Sequence, residues 1–490
     1  MAGIGGSLKR LSENSLVYGL SGMLGRLIGF LLIPVYTRVL TPEDYGVLAL
    51  IGLATTIIGM VYQMGFNGAM IRYYNEYQES QRRVFLGSTF LFQMAATAVA
   101  SLAIVLLSGP ICRALFGDAS LARYLVVSMA GVWLSLIGNV PSACFLIREQ
   151  KWAVLALSVF GALAGAAFPL YFVVWLRMGV WGAFLGTLAG TALASAVNLW
   201  LTAREIDWKF DWAPVRRALA FGLPLIPHLL SHWAINYFDR LLIQRFASTS
   251  EVGLYSLGYN FGLIMSLITG SINTAWAPFF YNINKEKGEE RAKAEVARLS
   301  TYWLMLVGFA AAALAALGPE LLRFMAAPAF WGASKVVPVI VLSYFVHGMY
   351  FMAVNPIFYK ERTGVLPWLS GAAAAVNIGL NFLLVPGYGM MGAAWSAVAG
   401  FAVLFAMVIV YSRRIYRVPY EYGRCAATLC VLASAWLATT LVGIDSPAPA
   451  LLAKSGIISL ALPALGFLVI TGPERERAFG FLGRRISGRP

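Results

Sequence analysis

Charge is what this sequence has least of. Only 12% of its 490 residues are Asp, Glu, Lys or Arg, while 59% are hydrophobic and the mean hydropathy is +0.73. A soluble fold of this length needs a far more polar surface, so the chain reads as an all-α polytopic membrane protein. Cysteine is also scarce. Cys112, Cys144, Cys425 and Cys430 form no CxxC pair and none lies at ligand spacing from one of the three His, so neither a disulfide framework nor a metal site is implied. No connection between apolar stretches reaches ~25 residues, which leaves no extramembrane domain to hold a separate active site. The outer loops offer only scattered Arg113, Asp118, Glu320 and Arg323. Without a metal triad, a nucleophile constellation or a phosphate-cradling glycine loop behind a strand, we expect no enzyme and no cofactor.

Apolar stretches are there in abundance. Fourteen are long enough to span a bilayer, beginning near Asn14, Tyr45, Val84, Tyr124, Trp152, Gly179, Ala218, Val252, Leu299, Val336, Gly364, Gly389, Gly423 and Ala450. The first follows Lys9 and Arg10 and lacks a small-residue cleavage signature, so it reads as an uncleaved span. The formal charge of +15 raises the question of nucleic acid, which the placement of the 37 Lys and Arg answers. With the N-terminus inside, 27 fall on segments facing the cytoplasm and eight on outer segments, and Arg26 and Arg240, within spans, complete the 37. That strict alternation is the positive-inside pattern, with both termini cytoplasmic, and it excludes nucleic acid as the partner. The mixed-charge stretch 284–298 (NKEKGEERAKAEVAR) reads as a solvated cytoplasmic helical extension between spans eight and nine.

Polar groups inside the spans are the candidates for function. From His228 to Gly253 the sequence HLLSHWAINYFDRLLIQRFASTSEVG puts His228, His232, Asn236 and Asp239 within an ~80° sector of one helix, with Arg240 adjacent. Pro224 and Pro227 precede the stripe and disrupt the backbone ladder. A second polar-faced helix lies near the N-terminus, where Asn14 and Tyr18 share a face with Gly22, Gly25 and Gly29, and Arg26 sits at its edge. Arg26 is about eleven residues into its span, ~16 Å deep at 1.5 Å per residue, beyond the reach of snorkelling. It therefore faces protein or a wet cavity, either capping carbonyls or gripping an anion with its planar fork. The paired His allow proton gating or two neutral hydrogen-bonded imidazoles, and Asp239-Arg240 reads equally as interfacial ion pair or cavity lining. His347 reads as structural. The amides Gln93, Asn139, Asn198, Asn260, Asn273, Asn377 and Asn381 read mainly as helix cross-links.

Two internal matches point to duplication. Gly179–Gly190 (GVWGAFLGTLAG) matches Gly389–Gly400 (GMMGAAWSAVAG) at an offset of 210, with five of twelve positions identical. Arg38, Gly46 and Leu50 match Arg245, Gly253 and Leu257 at an offset of 207, with Thr41 opposite Ser248 and Asp44 opposite Glu251. We therefore expect two pseudo-symmetric six-helix lobes around a central cavity, residues 1–203 and 204–412, followed by two further spans and a basic tail in 413–490. An even number of spans per repeat sets the symmetry axis along the membrane normal.

LLIPVYTRVLTPEDYG (31–46), YFDRLLIQRF (237–246) and EVGLYS (251–256) resemble the paired signatures of polysaccharide repeat-unit flippases of the multidrug/oligosaccharidyl-lipid/polysaccharide (MOP) superfamily. The resemblance runs along the whole chain. It implies translocation of undecaprenyl-pyrophosphate-linked oligosaccharide across the bacterial inner membrane, for O-antigen, capsule or exopolysaccharide assembly. It also implies cavity cations, at Arg26 and Arg240, whereas His228 and His232 rest on depth and facing alone. Expected partners are the lipid-linked substrate, the bilayer, a coupling ion (H+ or Na+) and the polysaccharide polymerase machinery. Within the superfamily the alternatives are cation-coupled multidrug export, against which Arg26 argues, and flipping of the lipid-linked peptidoglycan precursor.

Overall fold

The computed structural model describes Gly25, residues 28–444 and residues 446–470. All regular secondary structure among the described residues is helical, and ten of the helices are long and apolar enough to cross a membrane. The chain forms two compact units, divided after Gly253.

The first unit begins with the short helix α1 (Ile33–Val39), with Pro34 in its first turn, where the missing N–H costs nothing. Next comes α2 (Pro42–Gln63). Its start is a capping box: Thr41 Oγ1 accepts from Asp44 N at 3.1 Å, and Asp44 Oδ2 accepts from Thr41 N at 2.9 Å. Met64 and Gly65 then adopt positive φ, and α3 (Phe66–Tyr73) resumes, so this span is broken about two-thirds of the way along its length. After α4 (Glu79–Leu106) and α5 (Ser108–Phe116), the next span is made of α6 (Ala122–Ser135) and α7 (Asn139–Ile147). The hairpin α8 (Lys151–Leu170) and α9 (Gly179–Glu205) follows. The unit closes with α10 (Trp212–Gly222), a 3-10 turn at 223–225 carrying Pro224, and α11 (Ile226–Phe246), so the helix break expected around the two prolines is present.

Helix α12 (Thr249–Lys287) starts in the first unit and continues into the second, which goes on with α13 (Glu289–Met325), α14 (Val337–Tyr359), α15 (Leu366–Ile415), α16 (Tyr422–Thr440), α17 (Pro447–Ser459) and α18 (Ala461–Leu468). Residues 284–298 differ from a single helical extension. Gly288 turns the chain at φ 75°, in the left-handed region that favours glycine, and the charged residues split between the ends of α12 and α13. There Lys360 bonds Glu289 at 2.5 Å, and Lys287 pairs with Glu295. The 50-residue α15 is two helices meeting at Gly389, whose φ of 51° and ψ of −133° are non-helical, and the two apolar stretches read at Gly364 and Gly389 are its halves.

Both units contain the same helix-on-helix device. In the first, α9 opens at Gly179 (φ 57°) and presents Gly182, Gly186 and Gly190, four residues apart, to the end of α8 and the turn after it. A Cβ on Gly186 would overlap Pro169, and one on Gly190 would approach the Ala164 carbonyl oxygen to 2.5 Å. In the second, the chain turns at Gly389, and Gly392 and Gly400 lie against Leu384 and Asn377. Asn377 Nδ2 there donates to Ser396 O at 2.9 Å, the residue at the position of Gly186. Lipid tails give helices no hydrophobic reason to associate, so backbones held this close by small residues supply the attraction through packing.

Candidate functional site

Span seven brings the sequence-predicted polar stripe into the first unit. Helix α11 packs against α2 and α5, where Gln244 Nε2 donates to Phe116 O at 3.1 Å. Asn236, Asp239 and Arg240 lie on α11, and Asp239 and Arg240 are buried. Arg240 Nη1 donates to Asp239 Oδ1 at 3.0 Å and to the carbonyl of Asn236 at 3.0 Å, and its guanidinium lies 5.2 Å from the Tyr237 ring centroid. Asp239 Oδ1 also accepts from the Arg240 backbone N–H at 2.8 Å. Adjacent residues of opposite charge thus fold onto one helix turn, and Trp233, itself buried, covers one side with its ring 6.1 Å from Tyr237. At 1.5 Å per residue Asp239 is about 10 Å from the end of α11. His228 and His232 fall one turn apart on the same helix, and their side chains lie outside the described part of the structure. Asn14, Tyr18 and Arg26 lie outside the described residues.

The broken helices meet. A Cβ on Gly222, the last residue of α10, would overlap the carbonyl of Met64, and one on Gly65 would overlap the Gly222 backbone. The break in span two therefore rests against the break in span seven with no side chain between them. Irregular backbone at membrane depth needs partners for its freed carbonyls. Gln93 of α4, fully buried, supplies them: its Nε2 donates to Tyr62 O at 2.9 Å and to Gln63 O at 3.3 Å, while Asn139 Nδ2 donates to Gln93 Oε1 at 3.4 Å. The sequence marked Gln93 and Asn139 only as cross-links. Gly65 and Gly222 were missed, since a glycine in an apolar run gives no sign of what it approaches.

The two signature turns are also packed on each other. Ser248 Oγ accepts from Glu251 N at 3.1 Å, as Thr41 does from Asp44, so both matched segments cap helix N-termini. A Cβ on Gly46 would overlap the Thr249 carbonyl, and one on Gly253 would overlap that of Pro42. Residues 42 and 249, like 46 and 253, are related by the offset of 207, so the contact is reciprocal.

This geometry defines a class: an all-helical, multi-pass membrane protein with discontinuous helices and buried ionic groups inside a span, the construction of a membrane transporter. The chain belongs to the polysaccharide biosynthesis protein family, whose model matches residues 35–325, and the resemblance read from its signatures to MOP-superfamily flippases holds. It is 20% identical over 375 residues to Lsg locus putative protein 1 of Haemophilus influenzae, covering 75% of this chain and 90% of that one. It is 20% identical over 494 residues to the probable low-salt glycan biosynthesis flippase Agl15 of Haloferax volcanii, covering 97% and 99%. Among solved structures, the lipid II flippase MurJ in an inward closed conformation superposes with a TM-score of 0.73 at 13% identity, over 92% of this chain and 97% of that one.

Proposed function

We propose that the protein is a flippase that carries undecaprenyl-pyrophosphate-linked oligosaccharide repeat units across the bacterial inner membrane by alternating access, and that it is a transporter rather than an enzyme. The observation that carries this reading is the end-to-end match to a glycan biosynthesis flippase, on a chain whose family is that of polysaccharide biosynthesis proteins. The physics is consistent. A pyrophosphate with several sugars has no path through hydrocarbon, so a carrier must offer it cations and hydrogen bonds while the polyprenyl tail stays in lipid. Arg26 is the pyrophosphate contact in this reading. Asn14, Tyr18, Asn236 and Arg240 contribute polar contacts, and His228, His232 or Asp239 takes the coupling proton. Fourteen spans, two six-span lobes with two added helices and cytoplasmic termini complete it.

Depletion of the protein, followed by labelling with a membrane-impermeant glycan reagent, tests the function. Lipid-linked oligosaccharide accumulating on the inner leaflet, and cleared by re-expression, is the expected result. Unpolymerised units accumulating on the outer leaflet would point to polymerisation instead. Accumulation of the lipid-linked peptidoglycan precursor would favour the reading suggested by the MurJ-like fold.

A further inference from the structure

The connection between spans six and seven is built as a fixed strap with its aromatic side chains facing outward. Asp207 N donates to Arg83 O at 3.0 Å, Ser88 Oγ donates to Lys209 O at 3.4 Å, and Asp211 N donates to Ser88 Oγ at 2.9 Å, so residues 207–211 run along the start of α4 as a pinned extended segment. Gly87 permits this, because a Cβ there would overlap the Asp207 carbonyl. Trp208, Phe210 and Trp212 are 56%, 55% and 51% exposed. Trp208 meets Phe90 of α4 edge-on at 6.4 Å and Trp212 meets Phe92 at 5.5 Å, so each rests partly on the helix and leaves about half of its surface open. Trp200, 55% exposed near the end of α9, carries the Arg204 guanidinium 3.5 Å from its ring centroid. In the connection 416–421, at the offset of 210 that relates Gly179 to Gly389, Val418 stands where Trp208 does and is turned inward to 3% exposure, while Tyr422, opposite Trp212, is 58% exposed. An outward aromatic at the position of Trp208 therefore belongs to the first strap.

Charge identifies what covers them. Lys209 is 80% exposed at its side chain, and Arg204 and Arg216 are exposed on either side. The strap's carboxylates are engaged locally: Asp211 Oδ1 accepts from Ala213 N at 2.9 Å, while Asp207 accepts from Lys209 N at 3.3 Å through Oδ1 and faces the exposed Lys209 Nζ at 3.6 Å through Oδ2. The nearby Glu205 is engaged by Arg148 at 2.6 Å. Because the strap joins the ends of two membrane-crossing segments, it lies at the level where headgroups meet acyl chains, the zone that Trp favours. We propose that this strap is a binding site for anionic phospholipid headgroups of the leaflet on its side of the membrane, with Trp208, Phe210 and Trp212 wedged beneath the phosphate and Arg204, Lys209 and Arg216 contacting it.

The test uses the full chain in nanodiscs of phosphatidylcholine doped with either dibrominated phosphatidylglycerol or dibrominated phosphatidylcholine, at equal mole fraction. The fluorescence lost from Trp208 and Trp212 is the difference between the unmodified chain and a W208F/W212F variant. At least about threefold stronger quenching by the phosphatidylglycerol is expected, falling to parity in an R204Q/K209Q/R216Q variant that keeps the aromatics. Equal quenching of the unmodified chain by the two lipids would overturn the proposal by leaving simple interfacial anchoring. Absence of quenching by both would overturn it by showing the patch covered by protein, including a second copy.

Discussion

Gln93 is a buried amide whose donor serves two backbone carbonyls that the broken second span leaves behind. Removing it strands those carbonyls in a dry interior, so Gln93→Leu is expected to destabilise the protein by about 1–3 kcal/mol, read as a lower unfolding temperature in detergent. The Asp239-Arg240 pair behaves differently. Each charge is buried and depends on the other, so Arg240→Ala should cost about 3–5 kcal/mol, whereas the double change Asp239→Asn, Arg240→Gln should cost clearly less. A loss under about 1 kcal/mol for Arg240→Ala would mean that the pair behaves as a water-exposed one. For Arg26 the expected readout is transport: Arg26→Lys retains most complementation of the depleted strain, and Arg26→Ala loses it at unchanged membrane abundance. What was legible at this scale was the presence of costly polar groups inside spans. Depth alone, however, did not distinguish an interfacial pair from a buried one, because that depends on which helices flank α11.

At the scale of elements, helix breaks and glycine contacts organise the first unit. Pro224 and Pro227 announced the break before α11, but the one at Met64 and Gly65 carries no proline and was not legible. Its position follows from Gly222, whose backbone fills the place a side chain would take. Gly222→Leu and Gly65→Leu are each expected to cost at least about 1–3 kcal/mol through overpacking and to lower the yield of monodisperse protein. Gly52→Leu, at a position with nothing within 4 Å of a new Cβ, should be neutral by the same assays. The matched segments at 41–46 and 248–253 were visible in the sequence as a repeat. That they are helix caps was implicit in Thr41 with Asp44 and in Ser248 with Glu251, the capping-box spacing. That Gly46 and Gly253 meet each other's helices was not, since offset matching gives correspondence and no contact. Leu at either glycine should force these two helix starts apart, read as increased labelling of a cysteine placed at Thr249.

At the scale of the whole molecule, hydropathy fixed the class of fold, because few physical solutions exist for a chain this apolar. Ten of the described helices are long and apolar enough to cross a membrane, and the difference from fourteen has physical causes. Two apolar stretches run together through Gly389, the first stretch lies largely outside the described residues, α16 with Arg424 in its first turn falls short of the same measure, and α11 is too polar to register by hydropathy. That last omission has a general cause: ionic groups inside a helix remove the hydrophobic signature by which a span is counted. The proposed orientation rests on the distribution of Lys and Arg, and under it a reporter active only in the cytoplasm should work when inserted at Gly288 and fail when inserted at Asp118. Net movement of a lipid-linked glycan is read by reconstitution. Purified protein is placed in vesicles containing lipid-linked oligosaccharide, and the fraction of glycan open to an impermeant oxidant is measured. The account predicts that oxidation runs past the outer-leaflet half towards completion with the protein present and stops near half with Arg26→Ala. Oxidation halting near half with the unmodified protein, in vesicles where it is folded, would contradict it.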